Sequence, residues 1–321
     1  MINPSRGFVT IATGDEHYYA IARNLLRSYR WFSRHPMPFA IICDRENEYT
    51  KEFDDVILIS DPFNSFLDKL RLPELAPYDE TLFIDSDCLA YRDLNGLWKY
   101  FSHCRDFAAV GCRHPFGSYG WVDKEGAGVF KDKVRYSMVF QGGLYFIRKG
   151  KLASFSDTCW FILNHFESFS FPNYPSSDPV DEPILALACA VHDYPPVINR
   201  YERVFCYYPL TKIVKADISR GRLSFKSVFI PSFSFCNYFL HWSTAETKGE
   251  MYAAEVQRLD RMISSRDKAP SRWETRKRIR DFFEPLFFYV RMIVRLTIRM
   301  LSPLKSRLKS LLIKSESDIN V

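Results

Sequence analysis

The sequence predicts an α/β fold: a mostly parallel, doubly wound, Rossmann-like sheet flanked by helices, followed by a basic helical C-terminal tail. Short apolar runs alternate with segments of helical period over the first half of the 321 residues, as in parallel α/β folds. Hydrophobic residues make up 47% of the chain and charged residues 26%, which supports a sizeable core and excludes outright disorder. Beyond residue 250 the sequence becomes helix-like and then basic.

The N-terminal part of the chain predicts four strands and two helices. The first strand covers residues 7–12, and apolar residues at helical spacing predict a helix over 17–32. Three further strands are expected to be buried, and each ends at an acidic residue or a serine. They cover residues 39–43, 56–59 and 81–84. Before the last of them, residues 63–75 predict a helix that Pro73 breaks.

The middle of the chain continues the alternation. The predicted elements are a short helix over 94–101, strands over 107–112 and 143–147, and helices over 151–166 and 181–191. Residues 114–128 are rich in glycine and aromatic side chains, and we interpret them as a functional loop. Residues 194–242 have a strand-like and loop-like composition interrupted by prolines.

The cysteines and the N-terminus indicate a cytoplasmic protein. The eight cysteines are scattered without a C-x-x-C pair, so we expect reduced, buried thiols. The N-terminal apolar run is too short for a signal peptide. No run approaches the roughly 20 uncharged apolar residues that a membrane-spanning helix needs.

The C-terminal region carries the positive charge of the chain. Residues 272–314 hold twelve Lys and Arg against three acidic residues, a net charge of +9, and the remaining chain is mildly acidic because the total is +6. Arg291, Arg295 and Arg299 form one stripe on an otherwise apolar helix. We therefore predict two domains, 1–250 and 251–321, the second a peripheral anchor that binds anionic lipid at the inner face of the membrane. The alternative is a helix that packs on its own domain or on a second subunit.

Two carboxylates follow the predicted strand over 81–84. Asp85 and Asp87, separated by Ser86, are expected at the C-terminal edge of the sheet, where open α/β sheets bind ligands. Carboxylate oxygens suit Mg²⁺ or Mn²⁺, and a diphosphate bound to that cation would supply further oxygens. The pair predicts a metal and diphosphate site. Solvated turn residues or helix caps are the alternative.

Other motifs accompany this pair in a fixed order. They are FVTIATGDEHYYAIARNLLRSY, DKLRLPELAPYDETLFIDSDCLAY, FQGGLYFIRKG, PVDEPILALA and LHWSTAETKG. Together they resemble glycosyltransferase family 8, the retaining enzymes of GT-A fold that include glycogenin and the bacterial lipopolysaccharide galactosyl- and glucosyltransferases. The resemblance covers about residues 7–248. It implies metal-dependent transfer of a hexose from a nucleotide-diphosphate sugar, expected to be UDP-linked, to a glycan or glycolipid hydroxyl, as in cell-surface polysaccharide or lipopolysaccharide synthesis.

The resemblance also implies which residues bind the donor. The expected contacts are to uracil and ribose from the first motif, to phosphate or sugar from the second, and to the donor sugar from the third. These residues are Thr10, Ala12, Thr13 and Tyr18; Lys69, Asp85 and Ser86; and Gln141, Gly142 and Gly143. Gln141 stands where the family usually has Asn.

The metal and catalytic residues follow from the same resemblance. Asp85, Asp87 and His241 are implied as ligands of Mn²⁺ or Mg²⁺, because an imidazole is an acceptable third ligand beside two carboxylates. Lys248 is implied to meet the leaving diphosphate. The segment after His241 departs from the family pattern: a Gly is absent, Lys248 comes one position late, and no Pro-Trp follows.

Two acidic residues are implied to face the donor sugar. Asp181 and Glu182 match the family's Asp-Gln pair, so Glu182 is a carboxylate where an amide is usual. A carboxylate there could attack the anomeric carbon or only stabilise an oxocarbenium-like species. Acidic residues at a helix start also serve as caps.

Other functions are weaker interpretations. A nucleotidyltransferase would open with a Gly-rich, basic loop, which TIATGDEHYYA lacks. A catalytically silent nucleotide-binding scaffold at the membrane surface stays open because of the changes at Glu182 and after His241. A phosphate-binding loop, a nucleophile elbow and a zinc-protease motif are absent. No strand of basic and aromatic residues typical of RNA-binding domains occurs either, so we do not expect a nucleic-acid partner. Choice of acceptor is expected to depend on residues 114–128 and 173–178.

Overall fold

The computed structural model describes residues 5–118, 120–197, 205–207, 211–227 and 238–268. The predicted alternation of strands and helices is present in these ranges. The strands are β1 (Arg6–Ala12), β2 (Phe39–Cys43), β3 (Asp55–Leu58), β4 (Glu80–Ile84), β5 (Cys88–Ala90), β6 (Phe107–His114), β7 (Ser137–Arg148), β8 (Phe205–Tyr207), β9 (Thr211–Asp217), β10 (Arg222–Ser227) and β11 (Phe239–His241). The α-helices are α1 (Glu16–Phe32), α2 (Leu72–Leu75), α3 (Trp98–Phe101), α4 (Ala153–Asn164), α5 (Asp181–Val191) and α6 (Glu250–Lys268).

A six-stranded sheet with the order β3-β2-β1-β4-β7-β6 forms the centre of the fold. Strands β1 to β4 are parallel, and β7 runs antiparallel to both of its neighbours. One buried apolar cluster includes side chains of α1, and a second, separate cluster includes side chains of α4 and α5. Helices therefore cover the sheet through two cores, which confirms the predicted mostly parallel α/β sheet flanked by helices.

A bulge interrupts β7 where it passes the end of β4. Ala109 of β6 pairs with Tyr145 of β7, whereas the next residue, Val110, pairs with Gln141, so the intervening Gly142, Gly143 and Leu144 have no partner in β6. Bulges of this kind are common beside active sites because they redirect the chain locally.

A small sheet stands next to the end of β4. Its order is β5-β11-β8, with β11 antiparallel to β5 so that His241 is opposite Cys88. This pairing brings the segment around residue 241 next to the Asp85–Asp87 turn, although the two are far apart in sequence. A β9–β10 hairpin forms a separate two-stranded sheet.

Several predicted elements differ from the observed ones. Residues 63–75 form a 3₁₀ helix (Phe66–Arg71) followed by α2, and Pro73 lies inside α2 and does not break a helix. Pro is tolerated there because the amide groups of a first helical turn have no intrahelical partner. Strand β3 is an edge strand, and Leu58 is 56% exposed. The expectation that this strand is buried was therefore wrong.

The cysteines follow the prediction only in part. Cys43, Cys88, Cys159 and Cys189 are buried free thiols, whereas Cys112 is exposed, so the expectation of burial was wrong for Cys112. The end of β6 reaches the surface at this point, which exposes the thiol.

The predicted tail lies outside the residues that the structure describes, apart from α6 at its start. The chain divides into two units, Met1–Asp260 and Arg261–Val321. Within Met1–Asp260, Leu259 and Glu255 of α6 are buried. None of the helices in the described ranges has the length and apolarity that a bilayer crossing requires.

Candidate active site

The end of β4 positions the first two functional carboxylates. The Asp85 amide donates to the Gly143 carbonyl at 3.2 Å, and the Cys88 amide donates to the Asp85 carbonyl at 3.2 Å. These bonds hold residues 85–87 in a tight turn between β4 and β5. The side chains of Asp85 and Asp87 are 15% and 8% exposed, so both carboxylates are largely removed from water.

His241 completes this cluster from the opposite strand. Its Nε2 atom lies 3.0 Å from Asp87 Oδ1 and 3.7 Å from Asp85 Oδ2. The Trp242 amide donates to the Asp87 carbonyl at 3.0 Å, which fixes the backbones of the two segments to each other. The three side chains therefore converge on one point, as the sequence interpretation requires.

Lys69 links this cluster to α5. Its Nζ atom lies 2.6 Å from Asp85 Oδ2 and 3.6 Å from Asp181 Oδ2, and its side chain is 8% exposed. Burial alone would lower the pKa of Lys69, but the charges of Asp181 and Asp85 outweigh it and raise the pKa. Lys69 is therefore a permanent cation between two carboxylates.

The first turn of α5 supplies the other two acidic groups. The Tyr145 hydroxyl donates to Asp181 Oδ2 at 2.9 Å, and the Gly142 amide donates to Glu182 Oε1 at 2.6 Å. Burial, followed by the charge of Asp181, raises the pKa of Glu182 to about 7. The bulged part of β7 thus holds the start of α5 against the cluster.

Two glycines allow this close approach. A Cβ at Gly143 would lie 2.6 Å from His241 Nδ1, and one at Gly142 would lie 3.2 Å from Glu182 Oε1. The first distance is shorter than van der Waals contact permits, so a side chain at position 143 would displace the imidazole. Gly143 is therefore needed for the packing of the site, and a Cβ at position 142 would make a tight contact with Glu182.

The carboxylates and the imidazole adjust one another's protonation. Burial raises the pKa of Asp85. The charge of Lys69 opposes this effect, and the charge of the nearby Asp87 adds to it. Burial would also raise the pKa of Asp87, but His241 and Lys69 hold it below the ordinary value. Burial would lower the pKa of His241, yet Asp87 and Asp85 raise it. The two carboxylates therefore favour the protonated form of the His241 imidazole.

A divalent cation fits this set of side chains. Two carboxylates and one imidazole are suitable ligands for Mn²⁺ or Mg²⁺, and they already converge within contact distance. The Cys88 thiol also lies within 4.8 Å of the Asp87 and His241 ligand atoms. Burial holds the pKa of Cys88 well above its ordinary value, so this residue remains a neutral thiol in the core. Asp85, the other candidate for a third ligand, has its Oδ2 atom 3.7 Å from His241 Nε2, and the same oxygen accepts a hydrogen bond from Lys69 at 2.6 Å.

The other sequence-predicted donor residues lie in different surroundings. Thr10 and Ala12 are buried in β1, and the Thr13 hydroxyl donates to Asp68 at 2.8 Å. Tyr18 is half-buried near the start of α1. Ser86 is buried in the Asp85–Asp87 turn, and Gln141 is half-buried at the bulge.

Lys248 is exposed in a short 3₁₀ helix after His241. The adjacent Thr247 hydroxyl lies 2.8 Å from His17 Nε2. Burial, followed by the charge of Lys248, lowers the pKa of His17. Lys248 therefore lies close enough to the N-terminal turn of α1 to act on it electrostatically.

Sequence reasoning missed three residues around the site. His17 belongs to the quoted motif GDEHYY and Tyr145 to GGLYF, so both were present in segments already singled out. Tyr174, whose hydroxyl donates to Glu182 Oε2 at 3.3 Å, lies in a segment without a motif. No sequence signal pointed to that contact.

Comparisons with known proteins give only distant likenesses. No protein-family model matches the chain, and no curated protein matches it significantly. The galactosyltransferase LgtC, solved with donor and acceptor sugar analogues, is 14% identical, with a TM-score of 0.47 over 79% of this chain and 94% of that one. The glycosyltransferase GlyE of Streptococcus pneumoniae is 15% identical, with a TM-score of 0.39 over 61% of this chain and 46% of that one.

The bifunctional glycosyltransferase WbbM is 13% identical to the chain, with a TM-score of 0.43 over 76% of this chain and 46% of that one. The chain thus spans just under half the length of GlyE and of WbbM. At these levels of similarity, the case for an activity rests on the side chains of the site.

Proposed function

We propose that the protein is a metal-dependent retaining glycosyltransferase of GT-A type, which moves a hexose from a UDP-linked donor to a hydroxyl of a glycan or glycolipid. The observation that carries the proposal is the convergence of Asp85, Asp87 and His241 on one point. The acidic pair at the start of α5 is joined to this point through Lys69.

The charge balance of the site favours a divalent cation. The acidic side chains of Asp85, Asp87, Asp181 and Glu182 cluster around Lys69, and His241 must be a neutral imidazole to bind a metal. Negative charge in excess of the side-chain cations is costly in a buried site unless a further cation neutralises it. Mn²⁺ or Mg²⁺ bound by Asp85, Asp87 and His241 would supply that charge and stabilise the departing diphosphate as a Lewis acid.

The protein's own residues position the reacting groups. Lys69 and Tyr145 fix the Asp181 carboxylate, and the Gly142 amide fixes that of Glu182. Both carboxylates can then stabilise the positive charge that develops on the sugar ring as the glycosidic bond breaks. Lys248 is exposed and follows His241 by seven positions in the chain, so its ammonium would be available to pair with the diphosphate.

Hydrolysis of sugar nucleotides tests this function. The full-length protein should release UDP slowly from at least one of UDP-glucose, UDP-galactose or their N-acetyl forms when Mn²⁺ is present, and EDTA should stop the release. Formation of UTP that depends on pyrophosphate would instead indicate a nucleotidyltransferase. Calorimetry that shows no metal-dependent binding of UDP would favour a silent scaffold.

The acceptor side and the membrane anchor belong to the same proposal. Residues 114–128 and 173–178 would select the acceptor, since Asn173 Nδ2 donates to the Ser118 and Gly120 carbonyls and joins the two segments. The basic residues 272–314 would hold the enzyme at the inner face of the membrane, near a lipid-linked acceptor, in a protein made in the cytoplasm.

Changing the tail charge should release the protein from anionic membranes. Replacing Arg291, Arg295 and Arg299 by Glu in the full-length chain is expected to weaken binding to phosphatidylglycerol vesicles by at least about a hundredfold, because each basic residue near the surface contributes about 1 kcal/mol. Cosedimentation with vesicles measures this, and a chain that ends at residue 271 should behave in the same way. Unchanged binding by either variant would contradict the anchor.

A further inference from the structure

The carboxylate of Glu182 is held at both oxygens. The Gly142 amide donates to Oε1 at 2.6 Å, and the Tyr174 hydroxyl donates to Oε2 at 3.3 Å. The first bond comes from the sheet and the second from a loop segment, so the orientation of the carboxylate depends on both. Asp181, Lys69 and His241 are the charged groups that act on it.

Tyr174 is itself fixed by the loop before β7. Its ring packs edge-on against Trp121, with 5.1 Å between the ring centroids and an angle of 85° between the planes. The neighbouring Asn173 donates to the Ser118 and Gly120 carbonyls at 3.1 and 2.8 Å. A change in the position of residues 120–121 would therefore move the Tyr174 hydroxyl relative to Glu182.

The hydroxyl of Tyr174 acts as a donor throughout the neutral pH range. Burial, followed by the charge of Glu182, raises the pKa of this phenol. The group therefore stays protonated, and its hydrogen bond stabilises the charged form of the Glu182 carboxylate. The contact between Trp121 and Tyr174 is made by the two rings, so removal of the Tyr174 hydroxyl alone separates the hydrogen bond from the packing.

We propose that Tyr174 is a positioning residue for Glu182, through which the segments 114–128 and 173–178 set the orientation of the carboxylate that faces the donor sugar. The inference rests on the proposed transferase function. It adds that an acceptor bound at these two segments can change the orientation of the Glu182 carboxylate through Tyr174. Tyr174 need not touch the donor for this role.

Kinetics of Tyr174→Phe test the catalytic part. We expect kcat for metal-dependent hydrolysis of the UDP-sugar to fall about tenfold, the size of effect for a hydrogen bond to a charged group, with KM for the donor little changed. The limb of the pH profile that belongs to Glu182 should move to higher pH, because its carboxylate loses a donor. In a Glu182→Gln enzyme this limb should be absent, and adding Tyr174→Phe should leave the pH profile of kcat unchanged.

A matched control separates this role from general damage. The half-buried Tyr136 also donates to a carboxylate, Asp193 Oδ1, at 3.2 Å, but Asp193 is exposed, and Tyr136→Phe should leave kcat and the pH profile unchanged. An unaltered kcat and pH profile in Tyr174→Phe would overturn the proposal. The proposal would also be overturned if Tyr174→Phe lowered kcat as much in the Glu182→Gln enzyme as in the wild type.

Unfolding measurements keep the two proposals distinguishable. The folded pKa of Glu182 is about 7 against an ordinary 4.5, so its contribution to stability is present below pH 4.5 and is lost as the pH rises through 7. In urea titrations, Tyr174→Phe should lower the free energy of unfolding more at pH 8 than at pH 5. In a Glu182→Ala background, the effect of Tyr174→Phe should be the same at both pH values. Absence of turnover in the wild type would contradict the transferase, whereas absence of this coupling would contradict the link between Tyr174 and Glu182.

Discussion

Asp87→Ala is expected to lower metal-dependent turnover of the UDP-sugar on the order of a thousandfold, as loss of a principal electrostatic group does in other active sites. The substitution removes the oxygen that lies 3.0 Å from His241 Nε2 and leaves only two of the three proposed ligands. The fold should remain intact, because the backbone bond from Trp242 to the Asp87 carbonyl does not involve the side chain. Release of UDP measures turnover, and circular dichroism measures folding.

Asp157→Ala provides the matched control for this experiment. Asp157 is an exposed aspartate on α4, and its replacement should leave both turnover and Mn²⁺-dependent UDP binding unchanged. Undiminished turnover in a correctly folded Asp87→Ala protein would remove the metal from the mechanism.

Lys69→Met is expected to lower the free energy of unfolding by about 3–5 kcal/mol at pH 7.5, the typical effect of removing one partner from a buried ion pair. The substitution keeps the length of the side chain but leaves the Asp85 and Asp181 carboxylates without their shared cation. Without that cation, the pKa of Asp85, which burial already raises, would rise further, because Lys69 is the charge that opposes the effect of burial. The deficit should therefore be small at low pH and grow as the pH rises.

Urea denaturation at pH 5 and pH 7.5 measures this effect. Lys151→Met, at an exposed position, should change stability by less than about 0.5 kcal/mol, as is usual for surface substitutions. A Lys69→Met protein as stable as the wild type at pH 7.5 would contradict the role of Lys69 as a structural cation of the site.

Local sequence patterns predicted most of the sheet. The strands that cross the core, β1, β2 and β4, are mostly apolar and are completely or almost completely buried. Helix α5 begins and ends as predicted, at Asp181 and Val191, because its apolar run follows two acidic residues that favour a helix start. These patterns depend only on residues that are close together in sequence, so they predict a strand or a helix without knowledge of the tertiary structure.

The parts that failed depend on contacts between distant segments. Strand β3 has an apolar sequence like that of β2. Leu58 is nevertheless exposed, because β3 lies at the edge of the sheet. The bond from Tyr174 to Glu182 depends on how the loop packs against Trp121. The convergence of His241 with Asp87 depends on the pairing of β11 with β5; the resemblance implied it, but no local pattern in the sequence predicts that pairing.

The position of a bound ion tests the central claim most directly. Crystals of the full-length protein grown with Mn²⁺ and UDP, measured at the manganese absorption edge, should show one strong anomalous peak within bonding distance of Asp85, Asp87 and His241, with diphosphate oxygens on its open side. A peak at any other place, or bound UDP with no peak beside these three residues, would contradict the account.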